Sequence, residues 1–493
     1  MLARVRGRLA GFVPAGEFDR KLLAPLMLGS LLNPVNSSII AVALLPIGVA
    51  FGAPPAATAW LVSALYLATA IGQPVTGRLI DTYGPRRVFL AATSLVGIAG
   101  VVGALAPNLP VLVVARVILG FGTCAGYPAA MWVIRSEATR TGRAGHAGVL
   151  TLLSITSQTI TVIGPPLGGL LIGLGGWRTT LALNVPLSVA ALLLGALRLP
   201  RTPPPERGSG TRGVASLDFP GMGLFAATLV ALLLFLMHPA SGRWYLPVLA
   251  VVAAAGFAIR ELRATAPFLD LRVLAGNVPL LATYARQLLA GIGAYALLYG
   301  YTQWLEDGHD LSASAAGLVL LPMSLVAIVL SATTGRLRQL RGRLLAGAGA
   351  QAVAGVLLLV TGPDSGMWLL VLIVLIGGIP RGLSNLANQT ALYRQADPDR
   401  IGASAGLLRT VFYLGAIVAG AAQGNFLSAA NPTDGLHHLA LFMLVIAALL
   451  LALTALDRPL HRLGSRQEPA TDAPAGGGVS NPQREPERKE THR

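Results

Sequence analysis

The stretch Gly77-Arg78-Leu79-Ile80-Asp81-Thr82-Tyr83-Gly84-Pro85-Arg86-Arg87 lies between two long apolar runs of the chain. Its glycines permit close helix packing and a tight turn. Asp81, placed near a helix end, can accept hydrogen bonds from facing backbone N–H groups and can pair with arginine. The stretch therefore predicts a tight, charged turn between two helices.

The sequence around this turn is strongly apolar. Of 493 residues, 54% are hydrophobic and 12% are charged, and the mean hydropathy is +0.66. A water-soluble fold needs more polar side chains than this. Runs of roughly twenty apolar residues can cross a hydrocarbon core of about 30 Å as helices. We predict fourteen runs near 22–50, 57–80, 87–106, 110–134, 146–174, 177–198, 219–238, 244–262, 279–304, 311–335, 343–362, 366–391, 402–428 and 436–457.

The net charge of +16 does not indicate nucleic acid, because the arginines lie in short tracts between apolar runs instead of on one soluble face. Alternate tracts carry Arg78, Arg86, Arg87; Arg135, Arg140, Arg143; Arg198, Arg201, Arg207, Arg212; Arg260, Arg263, Arg272; Arg336, Arg338, Arg341, Arg343; and Arg394, Arg400. The opposing tracts hold only Arg178 and Arg243. By the positive-inside rule, both termini are predicted to be cytoplasmic in a multi-pass protein of a bacterial inner membrane.

The runs group into two like halves. We predict a cytoplasmic segment (1–21), a six-helix bundle (22–198), a loop with an inserted helix pair and linker (199–278), a second six-helix bundle (279–457) and a disordered cytoplasmic tail (458–493). Thr76-Gly77-Arg78-Leu79 recurs as Thr334-Gly335-Arg336-Leu337 at the same helix-to-loop junction. A six-helix unit duplicated around an inserted pair, 6 + 2 + 6, therefore predicts pseudo-symmetric halves around a central cavity, the basis of alternating access.

Three motifs resemble one family. The stretch 77–87 resembles the signature loop of the major facilitator superfamily, which implies a latch made by Gly77, Asp81, Gly84, Arg86 and Arg87 that holds the inward face closed. Thr82 stands where the family often has arginine. Gly164-Pro165-Pro166-Leu167-Gly168-Gly169 resembles that superfamily's exporter motif, which Gly164, Pro165, Gly168 and Gly169 carry.

Further along, Trp177-Arg178, Asn184-Val185-Pro186, Glu261 and 267–272 resemble the fourteen-span drug:proton antiporter branch. The resemblance covers about residues 20–457. It implies an all-α polytopic major facilitator fold with about fourteen transmembrane helices and an exporting activity.

Proton coupling has three candidate residues. Arg116 lies inside the fourth span, where a charge needs a cavity or a partner, and it matches the buried arginine that the superfamily links to coupling. Where the branch often places an aspartate in the first span, this chain has Asn36, which cannot titrate. No acid lies clearly within a span, so Glu306 and Asp307 at the outer end of the ninth span are the remaining candidates. We hypothesise that one of them is shielded enough to titrate near neutral pH; the alternative is two solvated loop acids.

Polar side chains within the spans could orient a ligand in an otherwise apolar cavity, or could form hydrogen bonds between helices instead. They are Asn33, Asn36, Tyr66, Gln158, Tyr284, Gln303, Arg381, Asn385 and Asn388. Arg286 and Arg409 also lie within or near apolar runs and could line the cavity or reach its edge. With few fixed charges in the spans, neutral, cationic-amphipathic or lipid-like substrates are expected.

Several classes of function are disfavoured. Neither lysine, Lys21 or Lys489, belongs to a phosphate-binding loop, and the one cysteine, Cys124, has no zinc-ligand spacing to histidine. No enzyme activity, cofactor or metal is predicted. The leading hypothesis is a monomeric proton-coupled exporter of drugs or natural products, with the bilayer, protons and a small substrate as partners and no nucleic acid. The alternatives are a translocator of amphipathic lipids or lysolipids and a non-transporting scaffold or sensor.

Overall fold

The computed structural model describes residues 18–58, 60–141, 147–201, 218–237, 241–264, 267–269, 271–311, 313–334, 339–427 and 431–457. Within these ranges the regular elements are helices and no strand occurs. Segments that adjoin end to end are counted as one helix. The long helices are α1 (Leu23–Phe51), α2 (Trp60–Tyr83), α3 (Pro85–Ala104), α4 (Leu109–Thr141), α5 (Ala147–Gly175), α6 (Trp177–Arg198), α7 (Phe219–Met237), α8 (Tyr245–Arg263), α9 (278–307), α10 (Ala313–Thr334), α11 (Leu340–Leu359), α12 (Met367–Gln395), α13 (Ile401–Phe426) and α14 (Pro432–Leu456).

Eleven helices in the described ranges are long and apolar enough to cross a membrane. Among the others, α2 and α9 are less apolar because polar residues such as Gln73 and Arg286 lie within them, and α7 contributes a shorter apolar helix. The predicted all-α polytopic fold is confirmed, whereas fourteen as the number of spans stays a prediction. The predictions for 1–17, for the tail 458–493 and for the second tetrapeptide copy after Thr334 concern residues outside the described ranges.

The two halves repeat one packing arrangement. In the first half α1 packs on α5, α2 on α4, and α3 on α6; in the second half α9 packs on α13, α10 on α12, and α11 on α14. Each of the six helices of the first half, α1 to α6, therefore corresponds to the helix eight places later in the chain. The halves meet along two seams, α2–α13 and α5–α10. The two seams are equivalent, because α2 corresponds to α10 and α5 corresponds to α13. The predicted pseudo-symmetric halves are confirmed.

The inserted pair α7 and α8 packs together beside one seam. Helix α7 lies against α2 and α13, where Phe225 and Phe268 cluster with Ala70 and Tyr413. A buried carboxylate ties the two helices together at one end, since Asp218 before α7 accepts a hydrogen bond from Arg260 Nε near the end of α8 at 2.8 Å. One of the two seams thus carries an extra layer of helix.

One end of the bundle is closed by side chains from both halves. At this end α1 begins and α14 ends, so we call it the terminal face. A buried cluster there joins Phe18 and Leu22 of the first half to Tyr284, Tyr393 and Ile401 of the second. Burial of this apolar surface stabilises the closed contact between the halves at roughly 25 cal/mol per Å² removed from water.

Candidate functional site

A cavity of about 960 Å³ lies between the halves. Helices α1, α2 and α5 of the first half and α9, α10, α12 and α13 of the second supply its wall. On α9 the lining positions run from Gln287 to Asp307 at the helix end. On α2 they are Val62, Ser63 and Tyr66, near the opposite end of the helix from the terminal face. The cavity therefore opens away from the terminal face.

Six of the nine predicted polar residues line this cavity. They are Asn33, Tyr66, Gln158, Gln303, Arg381 and Asn385. The other three do not, and for these the prediction is wrong. They are Asn36, Tyr284 and Asn388.

Interhelical hydrogen bonds account for all three corrections. Asn36 Nδ2 donates to Asn184 Oδ1 at 2.7 Å, and Asn184 Nδ2 donates back to Asn36 Oδ1 at 2.8 Å. The Tyr284 hydroxyl donates to the Ser404 carbonyl at 3.2 Å. Asn388 Nδ2 donates to Gln287 Oε1 at 2.9 Å. Each group is directed to a neighbouring helix because a buried amide or hydroxyl without a partner is costly.

An aromatic wall, made by Tyr66, Tyr295, Tyr299, Phe412 and Tyr413, joins the halves inside the cavity. The Tyr66 and Tyr299 hydroxyl oxygens are 3.4 Å apart, and the ring centroids of Tyr66 and Tyr413 are 5.6 Å apart. Tyr295 contacts Phe412 with centroids 5.3 Å apart. Sequence reasoning found only Tyr66 of this group. No sequence signal marked the other four. The structure places Tyr295 just before, and Tyr299 within, the five-residue π-helical segment Ala296–Gly300 of α9, a feature frequent at functional sites.

Two arginines line the cavity and two others do not. Arg381 and Arg409 are part of the wall. Arg286 is fully buried and forms an ion pair with Asp457, just after α14. Arg116 is 1% exposed and donates to the Leu61 carbonyl at 2.9 Å. It therefore ties α4 to α2, and its predicted role in proton coupling stays a prediction.

The two candidate acids lie at the cavity mouth. Glu306 and Asp307 are both lining residues and both exposed. Asp307 accepts a hydrogen bond from Gln303 Nε2 at 3.2 Å, and Gln303 in turn accepts one from Gln423 at 2.8 Å. The expectation that one acid is shielded is wrong for this conformation, because α9 ends where the cavity opens. Among the described residues no group of three or more His, Cys, Asp or Glu side chains could hold a metal ion.

The 77–87 stretch closes the terminal face across the α2–α13 seam. Asp81 Oδ1 accepts from the Gly402 amide at 2.9 Å and Oδ2 accepts from the Ala403 amide at 2.8 Å. These amides belong to the first turn of α13, where N–H groups lack partners within the helix. Gly77 lies directly against Gly402, and any Cβ there would collide with the Gly402 carbonyl.

The remaining latch residues shape the turn instead of contacting Asp81. Gly84 has a φ of 84°, in the region that favours glycine. Arg86 Nη2 donates to the Ala196 carbonyl at 2.6 Å, which ties α3 to the end of α6. Arg87 is exposed. The contact seen at this stretch is therefore a carboxylate on a helix N-terminus, built on a glycine contact. The latch role itself stays a prediction.

The predicted exporter motif divides into packing and lining residues. A Cβ at Gly164 would collide with the Ser38 side chain, and one at Gly168 would lie 2.6 Å from Val42 Cγ2. Pro165 lines the cavity, whereas Gly169 has no atom within 4 Å of a would-be Cβ. Two of the glycines thus bring α5 against α1.

Two related helical halves with a cavity between them, closed at one face and open at the other, are the architecture of a membrane transporter. The sequence pattern of the Major Facilitator Superfamily matches residues 26–420. The chain belongs to this superfamily, whose members transport and are not enzymes.

Relatives extend over most of the chain. An uncharacterized MFS-type transporter of Bacillus subtilis, YwoD, is 33% identical over 80% of this chain and 87% of its own length. The tetracenomycin C resistance and export protein of Streptomyces glaucescens is 28% identical over 64% of this chain and 57% of its own length. Among solved structures, a human organic anion transporter covers 87% of this chain and 99% of its own, with a TM-score of 0.64 at 16% identity. That structural likeness shows the fold.

Proposed function

We propose that this chain is a secondary active exporter of small hydrophobic or amphipathic compounds, driven by proton antiport. The observation that carries the proposal is the cavity of about 960 Å³ between the halves, within the range of small-molecule sites. Most of its exposed surface is apolar and includes five aromatic rings, and the amides and hydroxyls among its lining residues could orient a ligand. The tetracenomycin relative and the lincomycin resistance protein of Streptomyces lincolnensis, 31% identical over 61% of this chain and 61% of its own length, support export over uptake.

The proposed cycle moves one half against the other. The described conformation exposes the cavity at the face opposite the latch, where an exporter releases its substrate if the terminal face is cytoplasmic. The arginine tracts support that orientation in a bacterial cell membrane, with both termini inside. Release of Asp81 from α13 would open the terminal face for loading. In this cycle the chain acts as a monomer, because both seams form within one chain.

The proposed proton route uses the mouth acids and Arg116. Glu306 and Asp307 face the space that opens outward, where they can take up protons directly. Closure of this mouth in the other half of the cycle would change their surroundings, which is how a carboxylate can couple protonation to a conformational step. Arg116 holds α4 to α2 and α1 through carbonyl oxygens and would stabilise the half that moves.

Reconstitution tests the proposal. The protein is placed in liposomes with an inward-acidic pH gradient, and accumulation of lipophilic dyes of differing charge is followed with intact protein and with Glu306→Gln/Asp307→Asn. Gradient-dependent uptake by intact protein, lost in the double variant, is expected. Uptake that needs no pH gradient would contradict proton antiport, and uptake unchanged in the double variant would exclude both acids as the proton carriers.

A second candidate, a translocator of amphipathic lipids, is favoured by one observation. Helix α7 packs against the α2–α13 seam, whereas neither helix of the inserted pair has a comparable contact with α5 or α10 among the described residues. A lipid could therefore enter sideways through the α5–α10 seam. Movement of a labelled lysolipid, with no movement of soluble dyes, in the same liposomes would favour this alternative.

A further inference from the structure

The basic and the acidic residues of the cavity lie at different depths. Arg381 lies one turn from Asn385, which accepts a hydrogen bond from Gln287 at 3.4 Å near the closed end. Arg409 lies one turn from Tyr413, whose hydroxyl donates to Asn33 at 2.8 Å. The lining acids, Glu306 and Asp307, lie at the mouth, about 30 Å along α9 from Gln287 at 1.5 Å per residue. The inner cavity is therefore cationic.

Neither inner arginine has a carboxylate partner in the part of the chain that the structure describes. Among the described residues no carboxylate lies within ion-pairing distance of Arg381 or Arg409. The Arg409 guanidinium instead stacks over the Tyr127 ring at 4.2 Å from its centroid. By contrast, the buried Arg286 has its own carboxylate, Asp457. A guanidinium in a partly enclosed, apolar site without a counter-ion favours an anionic ligand, because the fork of N–H donors matches carboxylate and phenolate oxygens.

The side chains around the arginines indicate what the uncharged part of that ligand is. The aromatic wall lines the same cavity as the arginines, and its rings contact one another, Tyr66 with Tyr413 and Tyr295 with Phe412. Aromatic rings bind best against other rings at centroid distances of roughly 4.5–7 Å. Asn33 and Gln158 add neutral hydrogen-bonding groups to the same cavity.

We propose that the inner cavity is a binding site for aromatic organic anions, with a carboxylate or acidic phenol at Arg381 and Arg409 and the ring system against the aromatic wall. This names the substrate class of the proposed exporter and rests on that function for transport, though not for binding. It departs from the sequence-based expectation of neutral or cationic substrates. The reason is that Arg381 and Arg409 come from different helices, and only packing brings both to one cavity.

The test uses three ligands with one ring system: anthracene carboxylate, anthracene methanol and aminomethyl-anthracene, which are anionic, neutral and cationic at neutral pH. Binding to the purified full-length protein is measured by fluorescence titration in detergent. We expect the carboxylate to bind at least about tenfold more tightly than either other ligand. Arg381→Gln and Arg409→Gln should each remove most of this preference while the neutral ligand binds as before, and Arg381→Lys should retain part of it.

Arg243→Gln is the matched control, because Arg243 is an exposed arginine in the turn before α8, outside the cavity. Thermal unfolding without ligand confirms that each variant is folded. Equal or tighter binding of the amine would overturn the inference, and so would equal loss of all three ligands in the glutamine variants, which would show that the arginines only shape the site. In proteoliposomes, selective binding without movement of the carboxylate would refute the exporter while leaving the site in place. Movement of all three ligands at equal rates and affinities would support the exporter and refute the inference.

Discussion

At the scale of single residues, buried charged side chains have two kinds of partner: groups of the opposite half and groups of the same half. Asp81 is satisfied by backbone amides of the opposite half, so the proposed opening of the terminal face would break its bonds. Arg286 is satisfied by Asp457 within the second half, so its bond can persist through the cycle. A contact between halves is thus suited to switching, and a contact within a half is suited to stability.

Asp81→Asn should weaken closure of the terminal face. The asparagine side chain has only one acceptor oxygen for the two amides of Gly402 and Ala403, and a charge-assisted bond contributes about 1.5–3 kcal/mol. We expect gradient-driven transport to fall at least about tenfold, with thermal unfolding little changed. Thr82→Ala is the control, because among the described residues the Thr82 hydroxyl donates to the Arg78 carbonyl of its own helix at 2.9 Å and to no group of the other half. Wild-type transport by Asp81→Asn would refute a latch role.

Arg286→Gln should destabilise the folded protein. The change removes the guanidinium that Arg286 places against the buried carboxylate of Asp457, and it removes the bond from Arg286 Nη2 to Thr283 Oγ1, 2.7 Å long. Loss of one partner of a buried pair costs about 3–5 kcal/mol, which thermal unfolding in detergent can measure. Arg140→Gln is the matched control, because that arginine side chain is 62% exposed and its pair with Glu137 should contribute little. Equal stability loss in both variants would contradict this assignment.

At the scale of helices, two helices approach each other closely where glycines lie in their contact. Within one motif on α5, Gly164 and Gly168 face α1, while Gly169 faces open space. Small residues at such contacts let membrane helices pack by van der Waals contact. The motif is therefore a packing surface for α1 and α5, and its Pro165 faces the cavity.

Gly164→Ala and Gly169→Ala form a matched pair on one helix. The first places a methyl group against Ser38 and should push α5 from α1, which would lower both the unfolding temperature and transport, since overpacking costs about 1–3 kcal/mol. The second meets nothing within 4 Å and should leave both properties unchanged. Unfolding in detergent and transport in liposomes measure the difference. If the two variants behave alike, the motif does not act through α1–α5 packing.

At the scale of the whole molecule, two related seams join halves that each have their own internal packing. The α2–α13 seam carries the latch, and the α5–α10 seam carries a bond from Gln158 Nε2 to Ser331 Oγ of 2.9 Å. Motion of one half against the other requires both seams to rearrange while contacts inside each half persist.

Cross-linking separates these two kinds of contact. In a Cys124→Ala background, which removes the one native cysteine, cysteines at Gln158 and Ser331 are joined by a short bis-methanethiosulfonate. We expect transport to stop on cross-linking and to return on reduction, because the bridge fixes the α5–α10 seam. Cysteines at Thr283 and Gln395, whose side chains are 2.7 Å apart within the second half, are the control and should not stop transport when bridged. Continued transport with the Gln158–Ser331 bridge would contradict rocking of the halves.

Much of this architecture could be predicted from the chain alone. Long apolar runs and the arginine tracts between them predicted an all-helical membrane protein, because the cost of placing each segment in a bilayer depends on its own composition. The duplicated turn predicted like halves, and the stretch 77–87 placed Asp81 at a helix end. Six of nine polar lining residues followed from position within a span.

Only the tertiary structure decided which way each polar side chain points. Asn33 and Asn36 are one turn apart on α1, yet Asn33 lines the cavity and Asn36 bonds to Asn184. The partner of Arg286 lies 171 positions away, and the aromatic wall draws residues from α2, α9 and α13. The sequence by itself determined the helices, the two halves and the place of the latch, because these depend on local composition and on short motifs. The cavity chemistry depends on how each helix is rotated about its axis, and packing against neighbouring helices sets that rotation.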